Sequence, residues 1–278
     1  MSAPPLYISG GIVYTILYYF TGTAQRKQLT GSIGLQIFFV GGRVTVLYTW
    51  LENVLRDEYE QVRLLKESPR GSVYLIRHRN SGKRFIFRRF TGNGEVYQKL
   101  LGCSCPNLPL VMEAAEQNGE NLVIEEFIKG DNLGFLLEGA LFTPKETRDI
   151  VKQLCRALWV LHSMAAVHRD IKPENVILRG KDAVLIDFDA ARLYKPGAEA
   201  DTQVLGTTGF AAPEQYGLSQ SDVRTDIYSL GVLINVMLTG EHPSKKLADG
   251  PMGRVVQPCN QVNPEKRYKD VLHLMEEI

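Results

Sequence analysis

The stretch Val167-His168-Arg169-Asp170-Ile171-Lys172-Pro173-Glu174-Asn175 constrains this chain more than any other. Pro173 has no N–H and a fixed φ, so the segment reads as a loop between regular elements. The apolar run Val176-Ile177-Leu178 predicts a short strand, and Val184-Leu185-Ile186 predicts a second that ends on Asp187. A loop and two strand ends thus carry Asp170, Lys172, Asn175 and Asp187. Two carboxylates with an ammonium and an amide between them suit a site that orients a hydroxyl and holds a divalent metal on phosphate oxygens. A lone His-Arg-Asp would be a turn with a solvated salt bridge; the offsets of the other three residues argue against that here.

The elements on either side differ in kind. Ser72 to Ile76 and Arg84 to Phe90 alternate as strands around the turn Asn80-Ser81-Gly82-Lys83, which makes a hairpin. Gly94 to Leu101 predicts a short helix, and Asn121 to Phe127 a buried strand. Thr143-Pro144-Lys145-Glu146 then opens a helix with Thr as N-cap, Pro at the first position and Glu at the third. Ile150, Val151, Leu154, Leu158 and Leu161 follow at helical spacing. Arg224 to Leu238 is too apolar for a surface helix and predicts a core one, stopped by Gly240. Between Gly240 and Asn263, with Pro243, Pro251 and Pro258, no helix is expected; Pro264 to Ile278 predicts a last one. The class is α+β, with a β-rich part over 57–128, a helical part over 129–278 and a cleft between them.

Residues 1–52 do not match the rest. The first acid is Glu52, and Arg26, Lys27 and Arg43 are the sole positive charges before it. Ile8 to Phe20 and Leu35 to Leu51 are apolar, but neither is the clean run of about 20 residues that spans a bilayer. Three readings stand for this extension: an interfacial or weakly spanning membrane anchor, an irregular segment packed on the domain, or sequence upstream of the true start. Membrane association is not the favoured one. The net charge of +1 gives no reason to expect nucleic acid as a partner. Cys103 and Cys105 form C-x-C, while Cys155 and Cys259 stand alone. No zinc spacing results, and reduced cysteines in a cytoplasmic domain are expected.

From about Tyr59 to Ile278 the chain resembles the eukaryotic-type (Hanks-type) Ser/Thr protein kinases, most closely the bacterial branch. The resemblance rests on a degenerate glycine loop, His-Arg-Asp-x-Lys-Pro-x-Asn at 168–175, Asp187-Phe188, Ala212-Pro213-Glu214, and Asp226-x-Tyr228-Ser229-x-Gly231, in that order. It implies a bilobal protein-kinase-like fold and transfer of the γ-phosphoryl group of ATP, with Mg²⁺ or Mn²⁺, to Ser or Thr hydroxyls of a protein substrate. Asp170 resembles the catalytic acid and Lys172 the cation for the moving phosphoryl group. Asn175 and Asp187 resemble the metal ligands. Arg169 resembles an arginine that pairs with a phosphate on the activation segment, where Thr202 is the expected autophosphorylation site. Thr207 resembles the threonine that braces Asp170 and Lys172, Asp226 the acid that holds the catalytic-loop backbone, and Glu214 with Arg267 a buried structural pair.

The small lobe departs from the family pattern. The glycine loop aligns as Lys66, Ser68, Gly71 and Val73, so one glycine of three remains. The strand lysine is replaced by Arg88, which is still able to bind phosphate. Its helix partner is expected to be Glu95. Asp189 replaces a glycine after Phe188. Around the base, Ile124 is expected as gatekeeper, the backbone near Glu125 and Phe127 as the polar edge, and Val73 and Leu178 as apolar walls. These departures keep open an alternative, a pseudokinase-like scaffold with weak nucleotide binding.

Overall fold

The computed structural model describes residues 38–40, 43–45, 48–194, 207–217 and 220–278. The chain divides into two compact units, Met1–Val44 and Thr45–Ile278. The short strands β1 (Phe38–Val40) and β2 (Arg43–Thr45) pair with each other. Thr202 lies outside the described residues, as does most of 1–52.

Helix α1 (Tyr48–Glu58) leads into an antiparallel sheet of β3 (Tyr59–Ser68), β4 (Gly71–His78), β5 (Arg84–Thr91), β6 (Val111–Gln117) and β7 (Glu120–Glu126), in the order β3-β4-β5-β7-β6. Strands β6 and β7 are joined by Asn118 and Gly119, both left-handed, which is the twist a two-residue hairpin requires. Gly71 begins β4 where a Cβ would lie 2.1 Å from the Arg89 carbonyl oxygen, so no larger residue fits under β5. Helix α2 (Glu95–Leu100) covers one face of the sheet. On the other face, Tyr48 and Leu51 of α1 pack against Ile76, Leu122 and Ile124. The boundary expected at 52–57 therefore falls inside a helix whose Leu51 is fully buried. The apolar end of the extension is the inner stripe of that helix.

The helical part begins with β8 (Asp131–Asn132), α3 (Leu133–Gly139) and α4 (Pro144–Ser163). Thr143 and Glu146 cap α4 reciprocally, and Ile150, Val151, Leu154, Leu158 and Leu161 are its buried stripe. Short strands β9 (Ala166–Val167), β10 (Val176–Arg179), β11 (Asp182–Leu185) and β12 (Arg192–Leu193) follow; β10 pairs with β11, and β9 with β12. Helix α5 (Val223–Thr239) is buried along most of its length, as its composition predicts. Helix α6 (Gly250–Cys259) corrects the expectation of no helix after Gly240. Pro251 sits in its first turn, where no N–H is needed, and Met252, Val255, Val256 and Cys259 bury one face. The last predicted helix is shorter: a 3₁₀ turn at Pro264–Lys266, then α7 (Val271–Glu276) capped by Asp270. One apolar core runs from Val96, Tyr97 and Leu100 through Leu154 and Leu158 to α5, so the two lobes share it. Among the described residues, no helix is long and apolar enough to cross a membrane.

Candidate active site

The loop after β9 is held from below. Asp226, fully buried in the first turns of α5, accepts hydrogen bonds from the backbone N–H of His168 at 2.9 Å and of Arg169 at 2.8 Å. His162 Nε2 lies 2.9 Å from the same carboxylate. Burial alone would raise the Asp226 carboxyl, but the His162 contact and the loop N–H donors outweigh it and hold the group below its usual range. Asp226 thereby fixes Arg169 in a left-handed conformation, φ 68°. His168 Nε2 faces the Ile186 carbonyl at 3.2 Å, and its Nδ1 accepts from the Asp170 N–H at 3.3 Å, which ties the loop to the strand end that carries Asp187.

These tethers bring Asp170 against three side chains. Its Oδ1 accepts from the Thr207 hydroxyl at 2.7 Å; its Oδ2 accepts from Asn175 Nδ2 at 3.0 Å and meets Lys172 Nζ at 2.8 Å. Lys172 also donates to the Thr207 hydroxyl oxygen at 2.7 Å. Thr207 thus bridges the acid and the lysine. Its segment is anchored further on, where Glu214 receives both Arg267 terminal nitrogens at 2.7 and 2.9 Å and the Thr225 hydroxyl at 2.8 Å. Gln215 donates to the Arg169 carbonyl at 2.8 Å.

Asp187 faces this cluster from the other strand end, with φ 70°. The left-handed residue in the turn is Asp187 itself, so Asp189 needs no glycine-like backbone. Asp187 Oδ1 accepts from Arg88 Nη1 at 3.1 Å and Oδ2 from Lys66 Nζ at 3.0 Å. Burial would raise its carboxyl; Arg88 and Lys66 overcome that and hold it well below the carboxylate range. Asp189 accepts from Arg88 at 3.2 Å and from the Tyr97 hydroxyl at 2.9 Å. Burial, with the charge of Asp187 added, pushes Asp189 up. Phe188 is buried edge-on between the Tyr97 and His168 rings. A cavity of about 640 Å³ lies between the lobes, lined by Lys66, Gly71, Val73, Arg88, Asp170 and Asp187 among others.

Two expected placements are corrected. Cross-strand partners share a face of the sheet, and Arg88 pairs with Val123 while Phe87 pairs with Ile124. Ile124 therefore points away from the cleft, into the α1 cluster. Glu125, two residues past Val123, shares the Arg88 face. Its carboxylate takes Arg88 Nε at 2.7 Å, and both residues are buried. Glu95 is not the partner of Arg88; it is exposed and bonds Asn93. Tyr97, two residues on and buried, is the α2 residue that approaches Arg88, its ring centre 6.0 Å from the guanidinium carbon. Leu178 is half-buried against the large core, and Phe127 lies just past the end of β7; neither lines the cavity. The side-chain role of Glu125 was legible from strand register, since Ile86 opposes Glu125 two positions from Arg88. The reach of Lys66 had no signal beyond its replacement of a glycine.

A β-rich lobe and a helical lobe, joined over a cleft with this loop at its floor, define a protein kinase fold. Residues 59–262 match the protein kinase domain family, and the chain belongs to it, on the Hanks-type bacterial serine/threonine branch. It is 30% identical over 220 residues to serine/threonine-protein kinase pkn2 of Myxococcus xanthus, covering 72% of this chain and 26% of that protein. It is 30% identical over 255 residues to serine/threonine-protein kinase D of Synechocystis, covering 76% and 50%, and 28% identical over 240 residues to PknB of Mycolicibacterium smegmatis, covering 78% and 38%. The matches thus span a quarter to a half of these relatives' length.

Proposed function

We propose that this chain transfers the γ-phosphoryl group of ATP to serine or threonine hydroxyls of a protein. The observation that carries the reading is Asp170, held by Thr207, Asn175 and Lys172 and facing Asp187 in one cavity. Asp170 orients the acceptor hydroxyl and takes its proton. The transition state is loose, so position counts for more than base strength. Lys172, at 2.8 Å from Asp170, stands where it balances charge on the moving group.

The donor set fits Mg²⁺ or Mn²⁺. Asn175 spends its NH₂ group on the Asp170 carbonyl and carboxylate, which leaves its amide oxygen for a metal beside the Asp187 carboxylate. Among the described residues no cluster of three or more His, Cys, Asp or Glu forms a ready-made metal site. Two hard oxygen donors completed by phosphate oxygens and water suit such an ion, whose chemistry is to neutralise phosphate charge. Arg88, directed by Glu125, points at the same place. Gly71 and Val73 roof the cavity; the base-binding end is proposed beyond it, at the backbone near Glu125 and Phe127 and at Leu178. We place the catalytic domain at 57–278, braced by α1, in the cytoplasm. All four cysteines are free, in keeping with that compartment.

The scaffold reading is favoured by one observation: Lys66 and Arg88 already occupy both Asp187 oxygens. One experiment separates the two. Incubation with γ-labelled ATP, Mg²⁺ and a mixed protein acceptor is expected to leave label on phosphoserine and phosphothreonine, with Thr202 as the proposed autophosphorylation site. Nucleotide binding without any transferred label would favour the scaffold.

A further inference from the structure

The position of Lys66 is built into strand β3. Strand β3 pairs Leu64 with Tyr74 and then Lys66 with Val73, so Leu65 is an extra residue in a β-bulge. A bulge shifts which face the following side chains take. Tyr74 opposes Phe87 on the α1 face, and Val73 opposes Arg88 on the cleft face. Without the bulge, Lys66 would point with Tyr74 towards α1. With it, Lys66, Val73 and Arg88 form one cross-strand row over the cavity. The Lys66 amine then reaches Asp187 at 3.0 Å and Asp189 at 3.9 Å, while its side chain stays half exposed. Arg88 meets the other Asp187 oxygen. Two cations from two strands thus bracket the acid that faces the catalytic loop.

The turn above them is poor in the usual means of holding phosphate. Pro69 has no N–H to donate, and Gly71 is the one glycine of the three loop positions. We propose that Lys66 is a ligand for the nucleotide's phosphates, supplying from a side chain the positive charge that this loop's backbone does not. This rests on the ATP-dependent reading above. The Lys66 amine balances the Asp187 charge. Were that carboxylate to hold a divalent metal, the Lys66 amine would be free for a phosphate oxygen. Its half-exposed stem leaves it room to move, whereas Arg88, buried and tied to Glu125, stays fixed. The division of labour is one rigid cation and one mobile one.

The test is binding of Mg-ATP and of adenosine, by calorimetry, to the full chain and to Lys66→Ala and Lys66→Arg. A lost charge-assisted contact weakens Mg-ATP binding by about tenfold or more. Adenosine has no phosphate, so its affinity should change less than about twofold by the same reasoning. Lys66→Arg should restore most of the ATP affinity, and the loss in Lys66→Ala should shrink as salt rises, because the group is half exposed. Equal ATP affinity in Lys66→Ala and wild type would overturn the proposal. So would a parallel loss of adenosine binding, which marks a merely structural role. A wild type that binds Mg-ATP yet transfers no phosphate would sink the kinase reading while leaving the Lys66 comparison intact; one that binds no nucleotide would sink both.

Discussion

Glu125→Gln is the most revealing single substitution in the small lobe. Glu125 and Arg88 are buried side by side, with the Nε–carboxylate contact at 2.7 Å and side chains only 3% and 6% exposed. Breaking one half of a buried ion pair commonly costs about 3–5 kcal/mol. Two features lower that here. Arg88 keeps Asp187 and Asp189 at 3.1 and 3.2 Å, and Glu125 Oε2 has no hydrogen-bond partner among the described residues, so removing its charge recovers some desolvation. Burial pushes the Glu125 carboxyl up even beside Arg88, which marks it as the strained member of the pair. The expected loss is about 2 kcal/mol, the scale of one hydrogen bond to a charged group. For a domain of this size that lowers Tm by about 4–8 °C. Glu95→Gln, at an exposed residue that bonds Asn93 and not Arg88, should lower Tm by less than Glu125→Gln does. Thermal unfolding followed by circular dichroism reads both, and Mg-ATP binding should weaken in Glu125→Gln alone. A large effect from Glu95→Gln with none from Glu125→Gln would refute the reasoning and return the arginine's support to the helix.

Two other expectations are independent of that pair. Glu214→Gln leaves Arg267 buried with half its bidentate partner neutral, and should cost about 3 kcal/mol in denaturant unfolding; a loss below about 1 kcal/mol would mean the pair is dispensable. Glu113 lies on β6 opposite Ile124, on the face that α1 covers, and burial pushes its carboxyl up from 4.5 to about 7. The folded state then keeps a proton that the unfolded chain releases, so stability should fall as pH rises from about 4.5 to 7 and level off above. Glu113→Gln should abolish that component of the fall; an unchanged pH profile would count against it.

What was legible in the sequence follows from how the site is assembled. Asp170, Lys172 and Asn175 share one tight loop, and Asp187 follows two residues after the next strand but one, so their convergence needs only local geometry. The core helices were legible for a similar reason: Thr143, Pro144 and Glu146 cap α4, and Ile227 to Leu238 of α5 is mostly apolar. The nucleotide-facing half depends on register between strands far apart in sequence. One position of error there exchanges faces, which is why Ile124 was expected at the cleft and Glu125 by its backbone alone, not by its carboxylate. The bulge at Leu65 that turns Lys66 inward leaves no mark in composition. Helix α6 was hidden because Pro251 reads as a breaker until its place in the first turn is known.

We propose that Asp170, as held by Thr207, Asn175 and Lys172, performs phosphoryl transfer rather than merely shaping a nucleotide pocket. The direct measurement is transfer from γ-labelled ATP by wild type and Asp170→Asn at matched, saturating Mg-ATP, with nucleotide affinity measured alongside. Asp170→Asn is expected to lose about 100-fold or more of the transfer, the scale of a positioned general base, with ATP affinity within a few-fold of wild type. Equal incorporation by the two proteins would contradict it.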